Sequence, residues 1–430
     1  MPPSQRIARP DVAAYAAGSL GTGVFSTVPT VLLLYFCTEV LGVASAWAAA
    51  LIVVPKIWSI AWDPFVGAWS DRTATPLGRR RPFLIAGLVG VALAFVAVFS
   101  PPPLAPSGLI LWIGVSYFAL ATVYSLFAVP YAAIPAQIAG SSEERARLVS
   151  WRMVVVMIGV LAGAGLAPML VEAAGGGRRG YAVMSLVVAA ACSVAMCGPI
   201  LVMRGRDGLR AADAPRAPSL PRQLAQALKS ARFRRLIAAY IAQLTGMGAL
   251  TAAAPYIVTK ALGRGEGDIG VAMIAMTGAT ILAVPVWAGA GRRWGEDRAL
   301  AAAAVIFAAV AGCLGLAAHA SASWTAVLLL FALAGLPFAG LQVLPYTLVA
   351  HLVHAEAGGD GAEGVFTGVW TATEKLGLAL GPSVTGLALA ALSNDARALT
   401  LFAAVGPGVL ALASLPFLAL AGASSKVQTS

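Results

Sequence analysis

The chain is poor in nearly everything that chemistry in water relies on. Of its 430 residues 11% are charged, three are histidines and four are cysteines, against 59% hydrophobic residues and a mean hydropathy of +0.84. The cysteines, Cys37, Cys192, Cys197 and Cys313, form neither a CxxC pair nor a Cys/His spacing suited to a metal, which leaves them as small buried hydrophobes. His319, His351 and His354 stand near the ends of apolar runs, without a nucleophile–base pair or a phosphate-cradling loop. An enzyme is therefore not expected, nor a metal or a cofactor. No polar stretch is long enough for a soluble domain, which argues against a sensor or scaffold. It also argues against a nucleic-acid partner, despite a formal net charge of +11.

What is present in quantity is apolar sequence, far more than a soluble domain could hide. Twelve runs are long enough to cross a bilayer as α-helices. The first six are Val12 to Thr38, Val43 to Trp69, Pro82 to Ser100, Gly108 to Ala139, Ser150 to Val171 and Tyr181 to Met203. The second six are Phe233 to Lys260, Asp268 to Ala290, Ala299 to Ala318, Trp324 to Val353, Val365 to Leu392 and Ala398 to Leu420. The first run is too long for a cleavable signal and lacks a small-residue cleavage site, so it is expected to act as an uncleaved insertion signal. Most of the 29 Lys and Arg fall in loops on one side, while the opposite side holds only Arg178, Arg179, Lys260, Arg264 and Arg397. By the positive-inside rule both termini are cytoplasmic, in a multi-pass protein of the cytoplasmic (inner) membrane. The surplus of positive charge is that same loop bias.

The runs divide into two sets of six. A Pro-, Arg- and Ala-containing segment beginning RGRDGLRAADAPRAP is too polar to span, so the expected division is 1–203, a cytoplasmic linker 204–232, and 233–430. The halves echo each other. WDPFVGAWSDR around Pro64 is followed by AVPVWAGAGRR around Pro285, 221 residues on; VPYAAIPAQIA around Pro130 is followed by LPYTLVAHLV around Pro345, 215 residues on. Two parallel six-helix halves joined by a loop are the plan of major facilitator carriers, an all-α membrane fold of two pseudo-symmetric bundles. The same offset relates two polar faces. Tyr15, Ser19, Thr22, Ser26 and Thr30 recur at helical spacing on the first helix, and Tyr240, Gln243, Met247 and Thr251 keep that spacing on the seventh. Such faces line a cavity, or else satisfy their own backbone and glue neighbouring helices.

Five ionisable residues lie inside apolar runs: Lys56, Asp63, Arg152, Glu374 and Lys375. A charge at bilayer depth costs from about 3 to more than 10 kcal/mol, so such residues face protein or a watery cavity and serve transport. Lys56, Ser59 and Asp63 share a face of the second helix, with Lys56 and Asp63 about 10 Å apart along the axis. Asp63 is either a coupling-cation site or a static salt bridge. One carboxylate with Ser59 and Thr371 is a meagre oxygen set for sodium, which favours a proton. Arg152 offers a planar donor fork for sugar hydroxyls or a carboxylate, or else snorkels to the interface. Three intramembrane cations against two acids suggest an anionic solute such as a uronide. Trp58, Trp62, Phe65 and Trp69 form a stripe turned largely away from Lys56 and Asp63, suited to packing or lipid.

The stretch KIWSIAWDPFVGAWSDRTATPLGRRRPF from Lys56 resembles the glycoside-pentoside-hexuronide:cation symporters. Pro130-Tyr131, then Glu144, Arg145, Leu148 and Arg152, and finally Lys375 extend that resemblance. The loop SDRTATPLGRRRPF is also similar to that of plant-type sucrose/proton symporters. The resemblance implies cation symport of a sugar, glycoside or uronide by a monomer whose partners are a small solute, a coupling cation and the lipid bilayer. It implies substrate contact by Arg152 and Lys375, to which Glu374, Thr371, Ser19, Thr22, Tyr124 and Gln243 are added. Cation coupling is assigned to Asp63, Ser59 and Lys56, with Lys375 as a partner of Asp63. A cytoplasmic gate is assigned to Asp71, Arg72, Arg79, Arg81, Glu144 and Arg145. Two departures stand out: Ser59 and Ala128 replace cation-site acids, and Gly23 replaces a sugar-contacting acid. The rival reading is a proton-exchanging exporter or carrier of an amphipathic, lipid-like or other small solute.

Overall fold

A backbone that crosses lipid must satisfy its own hydrogen bonds, and without a closed barrel only the α-helix does so. The computed structural model describes residues 7–205, 228–320, 322–356, 362–392 and 396–418. Within them lie twelve α-helices. The first six are α1 (Arg9–Tyr35), α2 (Ser45–Arg72), α3 (Arg81–Phe99), α4 (Pro106–Ile138), α5 (Ser142–Ala173) and α6 (Gly177–Val202). They are followed by α7 (Ala231–Tyr256), α8 (Glu266–Trp294), α9 (Glu296–His319), α10 (Trp324–Glu356), α11 (Ala362–Ala391) and α12 (Ala396–Leu412). Eleven described segments are long and apolar enough to cross a membrane. The remaining helix, α11, has the length at 30 residues but carries Glu374 and Lys375 in its middle. Most of the expected linker, 206–227, lies outside the described residues.

One boundary corrects the sequence reading. The fifth helix was placed from Ser150, but α5 begins at Ser142. Ser141 caps it by accepting a hydrogen bond from the Glu144 amide at 3.2 Å, and two acids in the first turn complement the helix dipole. Glu144 and Arg145 therefore sit in the helix rather than in a loop, and Arg152 lies about 15 Å along it instead of near its beginning.

The helices sort into two units. The first holds α1 up to Pro29, Glu39–Val43 and the chain from Val54 through α6; the second holds Thr30–Thr38, Ala44–Val53 and α7 to α12. Inside the second, α7 pairs with α11, α8 with α10, and α9 with α12. The first unit repeats this six helices earlier. There α3 packs on α6, α2 meets α4 through the indole N–H groups of Trp58 and Trp62, which donate to Thr122 at 3.0 Å, and α1 crosses α5 through glycines. A methyl group on Gly23 would come within 2.7 Å of the Val156 carbonyl oxygen, and one on Gly159 within 2.6 Å of the Leu20 carbonyl oxygen. The α7–α11 crossing is built alike, with a methyl on Gly381 falling 2.5 Å from the Gly248 Cα. Small residues let membrane helices approach to backbone contact, where packing rather than hydrophobicity drives association.

The repeat extends to the helix ends. Both α1 and α7 finish in a π-helical turn, Phe36–Val40 and Ile257–Ala261. Each then closes on a glycine in the left-handed region, Gly42 at φ 69° and Gly263 at φ 64°, which only glycine adopts without strain. Inside the second unit, the Thr38 hydroxyl and the Tyr256 hydroxyl are 2.7 Å apart. The Ser383 hydroxyl donates to the Ala49 carbonyl at 3.2 Å.

Candidate functional site

In the first unit the polar residues gather around Arg152. Its guanidinium lies over the ring of Tyr131, 5.1 Å from the centroid, a cation–π contact. Its charge also acts on Tyr15 and Tyr124. Tyr131 is held from three directions. Its hydroxyl is 2.6 Å from that of Ser19 and donates to the Tyr15 carbonyl at 2.8 Å, and its ring lies 5.0 Å from that of Tyr15. The guanidinium is thus turned onto an aromatic ring of the bundle. Ser19 is 0% exposed and so positions Tyr131 instead of meeting a cavity. Thr22 and Ser26 donate to the carbonyls of Ser19 and Gly23 at 3.1 and 2.9 Å, the self-satisfying alternative for a polar stripe. Gly23 stands where the resemblance expects an acid, and its contact with α5 leaves no room for a side chain.

Asp63 accepts a hydrogen bond from the Ser125 hydroxyl at 2.5 Å, from α2 to α4. Ser125 was not foreseen; only its place on the inner face of the fourth apolar run could have pointed to it. Lys56 acts electrostatically on Asp63 from the same helix face. Ser59 is buried and donates to the Lys56 carbonyl at 2.8 Å. Tyr124 feels the charges of both Asp63 and Arg152, while its hydroxyl donates to the Thr22 carbonyl at 3.2 Å. The aromatic stripe forms a continuous ladder: Trp58 stacks on Trp62 at 5.4 Å, Trp62 on Phe65 at 5.0 Å, and Phe65 meets Trp69 at 5.9 Å.

In the second unit the counterpart centre is acidic. The Tyr346 hydroxyl donates to Glu374 Oε2 at 2.5 Å. Tyr240 and Trp370 stack at 4.2 Å and 4°, and Tyr346 stands edge-on to both. Tyr346 follows Pro345 as Tyr131 follows Pro130, 215 residues earlier, so the repeat noted in the sequence carried the one signal that could have found it. Lys375 acts on Glu374, and Thr371 is exposed one turn earlier on α11. Gln243 is buried, donating to Ser414 at 3.0 Å.

At the α1–α5 end, the loop before α3 is tied by Arg80 as well as by the expected Arg79. Arg80 pairs with Asp71 at 3.0 Å and donates to the Ala133 carbonyl at 2.6 Å, whereas Arg79 reaches Gln137 at 3.3 Å. Arg72 and Arg145 are exposed, and Arg81 is half-buried. Glu144 accepts from the Ile7 and Gly140 amides at 2.8 and 3.0 Å, strapping the segment before α1 to the α4–α5 turn. A cavity of about 890 Å³ opens between the first turns of α1 and α5, lined by Arg9, Arg147, Glu143 and Trp151 among others.

Comparison with known proteins agrees with this architecture. YagG of Escherichia coli strain K12, which carries the provisional name of a glycoside/cation symporter, is 32% identical over 194 residues, 45% of this chain and 41% of that protein. A second E. coli K12 protein, provisionally named a 2,3-dihydroxypropane-1-sulfonate exporter, is 25% identical over 255 residues, 58% of this chain and 54% of that one. The aligned stretches thus span about half or less of these relatives. Among solved structures, a D-xylose-proton symporter superposes with a TM-score of 0.66 at 14% identity, over 95% of this chain and 96% of that one, which shows the major facilitator fold. The family described as MFS/sugar transport protein matches residues 14–420. With the match covering nearly the whole chain, the protein belongs to this family of multi-pass membrane transporters, not of enzymes.

Proposed function

We propose that the protein moves a sugar, glycoside or uronide together with a proton by alternating access, in the cytoplasmic membrane and with both termini in the cytoplasm. The observation that carries this reading is a carboxylate and a guanidinium both held by polar partners inside the first unit, Asp63 accepting from Ser125 at 2.5 Å and Arg152 lying 5.1 Å over the Tyr131 ring. Asp63 is the cation-coupling acid, supported by Ser125 and adjusted by Lys56. Arg152, braced on Tyr131, is the solute-binding base. A solute at the guanidinium alters the field that Asp63 feels, so binding and protonation are linked electrostatically. Sodium is disfavoured because Asp63 is the one carboxylate among Lys56, Ser59 and Asp63, and a hard cation prefers several oxygen ligands including anionic ones.

Purified protein in proteoliposomes tests this: solute uptake should alkalinise the external medium, and Asp63→Asn should abolish the proton flux. Proton uptake that persists undiminished in Asp63→Asn sinks the assignment. A second reading has one observation in its favour, the exporter name carried by a relative aligned over 58% of this chain. There Arg152 would hold a small hydroxylated anion leaving the cell in exchange for a proton. Solute loaded inside vesicles and released down an inward proton gradient distinguishes it from symport.

A further inference from the structure

We infer that the cavity between the first turns of α1 and α5 holds the headgroup of a phospholipid that carries both a phosphate and a primary ammonium, drawn from the leaflet on the side of the termini. The inference is independent of which solute is carried. Four lining side chains carry it: Arg9 from α1, and Glu143, Arg147 and Trp151 from α5. Among the described residues, Arg9, Glu143 and Arg147 take part in no hydrogen bond or ion pair, although Glu143 and Arg147 stand one turn apart and Arg147 is half-buried. Glu144, which lines the same space, is already held by the Ile7 and Gly140 amides. A volume of about 890 Å³ is that of a ligand site rather than of a packing defect.

The order of the groups follows the membrane. Glu143, Arg147 and Trp151 recur at steps of four, so they share one face of α5 and succeed each other about 6 Å apart toward the bilayer centre. With 32 residues, α5 is about 48 Å long against a hydrocarbon core of about 30 Å, so about 9 Å projects at each end. The edge of the hydrocarbon then passes between Arg147 and Trp151. From water inward this face presents a carboxylate, a guanidinium and an indole. An ethanolamine phospholipid presents the complementary order: ammonium outermost, phosphate beneath it, then esters and acyl chains. The indole sits at the interfacial depth that tryptophan favours. Val154 and Ile158 continue the face below it and are exposed, a track for an acyl chain. Arg9 brings a second guanidinium from α1, and such planar forks hold a phosphate through paired hydrogen bonds.

Charge balance selects the headgroup. Two guanidiniums against the carboxylates of Glu143 and Glu144 leave the cavity net neutral. A neutral headgroup with separated charges matches that pattern. An anionic one such as phosphatidylglycerol leaves Glu143 unanswered, and a choline headgroup has no N–H to donate to it.

The experiment is native mass spectrometry of the delipidated full chain in detergent. It is titrated with dioleoyl phosphatidylethanolamine, phosphatidylglycerol and phosphatidylcholine, and with free phosphoethanolamine. In the unmodified protein phosphatidylethanolamine should be retained at the lowest concentration. Arg147→Gln should raise that concentration about tenfold, the loss expected for a hydrogen bond between charged groups. Arg298→Gln removes the same charge from an exposed position in the first turn of α9 and should leave it unchanged. Glu143→Gln should abolish the preference over the choline lipid. Where Arg147→Gln melts at a lower temperature without lipid, Arg9→Gln at the exposed start of α1 takes its place. Equal retention of the three lipids, stronger retention of phosphatidylglycerol, an equal loss in Arg298→Gln, or a preference unmoved in Glu143→Gln each overturns the inference. Free phosphoethanolamine bound as tightly as the lipid overturns the assignment to the membrane.

Discussion

Arg152 works through shape as much as charge: its flat guanidinium lies over the Tyr131 ring while its N–H edge remains to donate to acceptors on a solute. A lysine would keep the charge but lose both the stacking and the fork. Arg152→Lys is expected to weaken solute binding about tenfold and Arg152→Ala more, read as the concentration needed for half-maximal thermal stabilisation; equal binding by the lysine variant would reduce Arg152 to a point charge. Ser125→Ala removes a hydrogen bond to a charged acceptor that contributes about 1.5–3 kcal/mol. It should therefore lower proton-coupled uptake while leaving solute exchange across the vesicle membrane near normal, and a loss of both would assign Ser125 to folding. The charged residues were legible in the sequence because charges inside apolar runs announce themselves. Their partners were not. Ser19 and Thr22 read as cavity hydroxyls by spacing, yet spacing fixes only a helix face, and the neighbour across that face, Tyr131, decided that Ser19 would be sealed.

At the scale of helices, two crossings carry the architecture, α1 on α5 and α7 on α11, both at glycines. Gly159→Val and Gly381→Val should each lower the detergent melting temperature, because the added carbons meet backbone atoms that cannot give way; overpacking of this kind costs about 1–3 kcal/mol or more. Placing an acid there by Gly23→Asp should destabilise similarly and should not strengthen sugar binding, whereas a stable variant with tighter sugar binding would show that α5 can retreat. The apolar runs located every helix, since a lipid-crossing segment has one structural option. They misplaced the start of α5 because Ser142 to Arg147 are polar, and the capping signal Ser141 with Glu144 outranked hydropathy there. Gly159 and Gly163 stand one turn apart on α5, and the folded contact of Gly159 with Gly23 gives that face its role.

For the molecule as a whole, orientation is the property most open to a direct check. In a background where the exposed Cys197 and Cys313 are alanine, Ala173→Cys at the end of α5 should react with a membrane-impermeant maleimide on intact cells. Ala74→Cys after α2 should react only once the membrane is opened, and the reverse pattern would invert the assignment of both termini. The internal repeat was legible as two weak echoes, and it predicted a six-and-six plan that the helix pairings within each unit share. It could not foretell that the two Pro-Tyr positions would diverge, one beside a base and closed, the other beside an acid and open. The π-helical ends of α1 and α7 carry a consequence of their own. A π turn accommodates one residue more than an α turn, so each end holds the trace of an inserted residue, placed identically in both halves. Deleting one residue from Phe36–Val40 would let α1 run on as a regular helix and remove the widened turn that carries Thr38. Thr38, now 2.7 Å from the Tyr256 hydroxyl, would lose its place, and a single codon would separate a latched helix end from an unlatched one.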